Sequence, residues 1–219
     1  MSLKLGIICG MASEKRALGR WAEDERVAVA ISGARPDRAE AEARRLISEG
    51  AVALLSWGIA GGLVPSLATG DIIRPGIVTG PDGQRRPVTL CSGHGVIAGY
   101  DKLVRHPAAK AGLRAATGAV AVDMESHRVA LVATEAGRPF AVVRAISDTA
   151  ETELPALVET ALGEDGRPRI GKVFLGLARR PLDLPNLLKA GQESAAALAG
   201  IASIADQVIA ELLSDQNFL

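Results

Sequence analysis

Short apolar runs alternate with stretches of helical spacing through the first two-thirds of the chain. Leu3 to Cys9 reads as a strand closed by Gly10, and Ser13 to Trp21 as a helix. Val27 to Ile31 is a second strand. Asp37 suits the cap of a helix reaching Ser48, with Ala39, Ala43 and Leu46 on one face and Gly50 after its end. Ala51 to Leu55 is a third strand and empties into the glycine corner Gly58–Gly62. Ile72 to Val78 and Val88 to Cys91 read as further strands, Tyr100 to Ala116 as mostly helix, and Val120 to Val122 as a short strand. A helix from Glu125 to Ala136 and a last strand from Pro139 to Ile146 follow. The remainder is helical, broken at Pro155, Pro168, Pro181 and Pro185. The alternation predicts a single α/β domain with a mixed, mostly parallel twisted sheet flanked by helices and a helical C-terminal tail. Residues 1–150 form the expected core, and residues 151–219 a helical extension of the same domain.

Composition narrows the picture. The chain has 219 residues, enough for one sizeable core, and with 3% aromatics that core must be aliphatic. Formal charge is zero, which argues against a nucleic-acid partner, where a basic excess is expected. Charge is uneven, however. Between Arg167 and Lys189 stand six basic residues and one acid, so the rest carries a matching negative excess. Cys9 and Cys91 read as a reduced cytosolic pair, and no metal-ligand spacing joins them to His94, His106 and His127. No signal peptide or membrane span is read, so the expected location is cytoplasmic.

Two acidic clusters carry the candidate chemistry: Asp123-Met124-Glu125 and Ser147-Asp148, each at the end of an apolar run. A carboxylate at a buried strand end is costly unless something holds it there. Strand ends followed by glycine corners are where α/β sheets bind ligands. Gly58–Gly62 and Gly10 allow backbone amides close to an anion or a sugar, although Gly61-Gly62 equally suits plain chain reversal. Neither a Walker loop nor a dinucleotide fingerprint is present.

Leu5-Gly6-Ile7-Ile8, Ser32-Gly33, Gly58-Ile59-Ala60-Gly61-Gly62-Leu63, Gly70-Asp71-Ile72-Ile73, Val122-Asp123-Met124-Glu125 and Arg144-Ala145-Ile146-Ser147-Asp148 occur in order. This set resembles the nucleoside phosphorylase and methylthioadenosine nucleosidase superfamily over residues 3 to about 150. The tail, with Phe174-Leu175-Gly176-Leu177-Ala178-Arg179-Arg180-Pro181 and Asp183-Leu184-Pro185, resembles the hopanoid-associated nucleoside phosphorylase branch.

The resemblance implies cleavage of a glycosidic bond through a cation-like sugar. It makes Asp148 the acid that protonates the departing base, for which burial must keep it neutral; a helix N-cap is its plain alternative. It makes Glu125 the acceptor for the ribose hydroxyls, and Met124 either the floor of the ribose or ordinary core. Ser147, Ala60 and Gly61 join the substrate contacts, with Val96 and Ile97 lining the base pocket. Asp123 is given no chemistry, and His127 is placed at a surface or interface.

For the nucleophile, the position that carries a water-activating glutamate in nucleosidases falls on Ser13. Glu14 is one residue, and about 100° of helix, away from it. Ser13, Arg16, Gly10 and Ser56 are therefore expected to hold phosphate as co-substrate, with no cofactor and no metal. The branch implies adenosylhopane as substrate, a lipid-borne nucleoside, and the basic stretch suits peripheral membrane contact, a solvated face or an oligomer contact. A homo-oligomer is expected. The rival readings are a water-using methylthioadenosine or adenosylhomocysteine nucleosidase and a non-catalytic nucleoside-binding scaffold.

Overall fold

A computed structural model describes residues 4–91, 93–161 and 184–214. One mixed sheet organises them. Its central strand β3 (Ala51–Gly62) runs parallel to β1 (Lys4–Cys9) on one side and to β9 (Phe140–Asp148) on the other. β2 (Val27–Ile31) extends the sheet beyond β1, and β4 (Ile72–Ile73) lies antiparallel on β9. The far end of β3 crosses to β8 (Ala121–Asp123), antiparallel, with Gly61 opposite Val122. From β8 the sheet continues in parallel to β7 (Val96–Gly99) and β5 (Ile77–Thr79), and ends in antiparallel β6 (Arg85–Pro87).

Helices cover both faces. Helix α2 (Pro36–Ser48) buries Ala39, Ala43 and Leu46 against Ile8, Leu54 and Val142. Helix α4 (Ser126–Glu135) adds Val129, Ala130 and Ala133 to the same layer. The opposite face, with Leu5, Ile7, Leu55, Trp57 and Val143, is covered by the C-terminal helices Leu184–Ser203 and Ala205–Ser214 through Ala197, Ile201, Val208 and Leu212. The alternating α/β pattern read from the sequence is this fold. Among the described residues no single helix is long and apolar enough to cross a membrane. The basic residues from Arg167 to Arg180, and the branch motif from Phe174 to Asp183, lie outside the described residues.

Several local expectations are corrected. Val88 to Cys91 is not a strand; it follows β6 and precedes β7, and Ile72 to Val78 divides into β4 and β5. Short apolar runs of this length do not reveal which of them finds a pairing partner. Tyr100 to Ala116 becomes helix only at α3 (Pro107–Thr117), where Pro107 supplies a preformed first turn and Gly118, at φ 68°, ends it. Helix α2 starts at Pro36 after Arg35, so Asp37 sits in the first turn instead of at the cap.

His127 on α4 is buried, not superficial, and its Nε2 pairs with Asp101 at 2.9 Å. Its ring lies against Gly99 so closely that any Cβ there would fall far inside contact distance of the imidazole and its Cβ. Gly99→Ala is therefore expected to push α4 off β7, at about 1–3 kcal/mol. Urea denaturation monitored by circular dichroism reads this, and an unshifted midpoint would show that the helix yields freely.

Candidate active site

Helix α1 (Ala12–Ala17) begins one residue earlier than the sequence pattern places it, with Met11 as N-cap. Glu14, third in the helix, turns back and accepts the Met11 N–H on Oε2 at 2.9 Å, while Oε1 accepts the Ile59 N–H at 2.9 Å. Glu14 is buried, whereas Ser13 is half-buried and Arg16 is exposed. The expectation that Ser13 and Arg16 face the site while Glu14 turns away is thus reversed.

Arg144, in the middle of β9, brings the acids together. Its guanidinium is fully buried, and Nη2 lies 2.6 Å from Asp123 Oδ2, 2.7 Å from Ser56 Oγ and 3.4 Å from Glu125 Oε2. Asp123 also accepts from both the backbone N–H and the hydroxyl of Ser126. Asp123 is therefore the main counter-charge of a buried cation, a role the sequence reading withheld. Ser56, expected to bind phosphate, accepts from Arg144 on its Oγ and lies 3.3 Å from the Ser126 hydroxyl.

Backbone glycines let this cluster close. A Cβ on Gly10 would lie 2.8 Å from Glu125 Oε1 and 3.2 Å from Glu14 Oε2, so both carboxylates crowd one point above the end of β1. A Cβ on Gly58 would collide with Arg144 Nη1 and Glu14 Oε1. Nη1 and Nε of Arg144 have no hydrogen-bond partner among the described residues.

The electrostatics follow from burial. Desolvation pushes the Glu125 carboxyl up to about 8, with Asp123 and Glu14 adding to the rise and Arg144 opposing it. Desolvation also raises Glu14, against the pull of Arg144 and the amides of Ile59, Met11 and Gly10. Beside them, burial raises the Cys9 thiol well above its ordinary value, so it stays a neutral thiol.

Asp148 ends β9. Pairing with β3 steps from Ile146 opposite Ala60 to Asp148 opposite Gly61, leaving Ser147 as the extra residue of a bulge. Such a bulge re-aims the side chains beyond it. Ser147 then donates to Asp148 Oδ1 at 2.7 Å and touches the Ala60 carbonyl at 3.2 Å. Gly61 passes close to the carboxylate, its Cβ position being 3.1 Å from Oδ2. β3 thus borders both acids: Gly58 beside Glu14 and Arg144, and Gly61, about 10 Å further along, beside Asp148.

Asp148 is not held by burial alone: it forms a buried ion pair with Lys110 Nζ of α3 at 2.5 Å. Lys110 was not anticipated at all.

The remaining residues divide. Met124 is half-buried and belongs to none of the apolar clusters of the described residues, which leaves it free to face a ligand. Val96 and Ile97, expected to line one pocket together, point to opposite sides of β7. Val96 packs with Leu63 and Val122, and Ile97 with Ala121 and Val129. Among the described residues no group of three or more His, Cys, Asp or Glu side chains is placed to hold a metal ion.

The sequence profile of the phosphorylase superfamily matches residues 82–178. No curated protein sequence matches the chain. Among solved structures, the 5′-methylthioadenosine/S-adenosyl homocysteine nucleosidase of Helicobacter pylori is 18% identical, with a TM-score of 0.72 over 96% of this chain and 99% of that one. The futalosine hydrolase of Helicobacter pylori, also 18% identical, gives 0.71 over the same shares. A putative nucleosidase of the first type from Francisella philomiragia gives 0.70 at 20% identity, again over 96% and 99%. At such identities the likeness is one of fold. The superfamily resemblance read from the sequence holds for that fold and for the matched segment.

Proposed function

We propose that this chain cleaves the glycosidic bond of a purine nucleoside with water as the nucleophile. Glu14 takes the proton of the water, Glu125 accepts the ribose hydroxyls, and Asp148 serves the departing base. The observation that carries this reading is the Glu14 carboxylate, fixed by two backbone amides beside Glu125 and Arg144. A raised carboxyl suits a general base working near neutral pH, since its conjugate acid is then not too weakly bound. Ribose hydroxyls donating to Glu125 favour its ionised form, which places negative charge beside the sugar as it becomes cationic. The solved relatives in fold are named as nucleosidases and a hydrolase, in keeping with water as nucleophile.

Phosphorolysis is the second reading, favoured by the unpartnered Nε and Nη1 of Arg144. Charge weighs against it. The positive charge of Arg144 is already matched by Asp123 at 2.6 Å, so among the described residues a phosphate dianion beside Glu14 meets no cation that is not already paired. Arg16, expected to neutralise it, is exposed. The lipid-linked substrate adenosylhopane and the membrane contact rest on a tail outside the described residues and gain no support from this site.

The test is product identity. Purified protein incubated with 5′-methylthioadenosine or adenosine in phosphate-free buffer is expected to release adenine and free sugar, and added phosphate is expected to leave the rate unchanged. A sugar 1-phosphate product, with turnover that needs phosphate, would establish phosphorolysis. Tight adenosine binding without base release would establish the scaffold.

A further inference from the structure

Lys110 is wholly buried, and its ammonium makes three contacts: Asp148 Oδ2 at 2.5 Å, the Thr149 carbonyl at 2.6 Å and the Thr152 carbonyl at 3.1 Å. An ammonium has three N–H donors, and all three are used. This is the full complement of a charged lysine, and it leaves Asp148 as the carboxylate of the pair. A departing purine needs a proton, which a carboxylate does not carry. We propose that Lys110 is the proton store for Asp148, so that the proton given to the leaving base originates on its ammonium. The inference rests on the nucleoside-cleaving reading above.

The step balances as follows. As negative charge grows on the base, an N–H bond at Lys110 Nζ breaks and an O–H bond forms on Asp148. The carboxyl passes a proton to a ring nitrogen of the base and ends as the carboxylate it began as. The glycosidic electron pair leaves with the base. The sugar carbon takes its new bond from water, whose proton goes to Glu14. Lys110, left as a neutral amine, recovers its proton from solvent.

The surroundings suit such a cycle. Thr149 and Thr152, whose carbonyls accept from Lys110, also line a cavity of about 500 Å³ with Glu151 and Glu153. Two neighbouring charged groups are engaged elsewhere. Arg105 donates to the Leu154 carbonyl at 3.2 Å, and Glu153 pairs with His106 at 3.1 Å in an exposed position.

Two substrates test the proposal: 5′-methylthioadenosine, whose base needs a proton, and 4-nitrophenyl β-D-ribofuranoside, whose leaving group departs as a stable anion. Lys110→Met is expected to lower kcat on the nucleoside by about 10²-fold or more and to leave the nitrophenyl riboside little changed. Lys110→Arg keeps the charge and the pairing but holds its proton too tightly to give it up, so it should stay slow on the nucleoside. Recovery with arginine would make Lys110 a mere counter-charge and overturn the proposal. So would equal losses on both substrates. Should neither variant fold, the wild type decides: its nucleoside rate relative to its nitrophenyl rate must fall in D2O, since only the nucleoside draws on the relayed proton. A ratio unchanged in D2O refutes the store. Failure of the reading beneath it looks different: the wild type releases base from neither substrate, or Asp148→Asn leaves the nucleoside rate intact.

Discussion

Glu14→Gln is expected to lower kcat for base release by about 10²–10⁴-fold while nucleoside affinity is retained. Glutamine keeps the volume and one acceptor oxygen, so one of the two backbone hydrogen bonds that fix this side chain survives. It has no basic oxygen to take a proton from water. The pH profile makes the assignment specific. Burial raises Glu14, and a base works only when ionised, so the acidic limb of kcat/KM for the wild type should lie above the ordinary carboxylate range. In the variant the residual activity should lose that limb. Single-turnover adenine release read beside equilibrium binding separates chemistry from affinity. A variant with undiminished turnover would remove Glu14 from the reaction.

How far this site was legible depends on one residue in helix α1. The sequence pattern shows the helix, but matching the nucleosidase glutamate to Ser13 misses Glu14 by one position, about 100° of helix, and so turns the wrong face inward. The two acid clusters were legible because carboxylates ending apolar runs demand partners, and the structure supplies partners for both. Arg144 offered the same signal, a lone cation inside the run Ala141-Val142-Val143-Arg144-Ala145-Ile146, and pairing it with Asp123 would have followed from it. The glycine corner was misread as a turn. Gly58 to Gly62 continue β3, and what their missing side chains provide is room for Arg144, Glu14 and Asp148. Lys110 left no trace in the sequence. It looks like any lysine on an alanine-rich helix, and only the packing of α3 against the end of β9 makes it a buried partner.

Arg144→Met should be the most destabilising single change at the site, by about 3–5 kcal/mol near neutral pH, because it leaves the buried Asp123 without its cation. The loss has a definite pH sign. In the wild type Glu125 is already raised from 4.5 to about 8. Its contribution to stability is therefore fully present below its unfolded value and is lost as pH rises through the folded one. Removing Arg144 takes away what opposes that rise, at Glu125 and at Glu14 alike, so the folded variant must hold protons even more tightly. Its deficit relative to wild type should be smallest in mild acid, where Glu125 and Glu14 are neutral, and should widen steadily toward alkaline pH. Urea midpoints of both proteins across that range read it directly. A gap constant with pH would mean that Arg144 acts by packing alone. Adding Asp123→Asn to the variant provides a further check: if the cost is unpaired charge, removing one carboxylate must restore part of the stability, whereas a packing defect would only deepen.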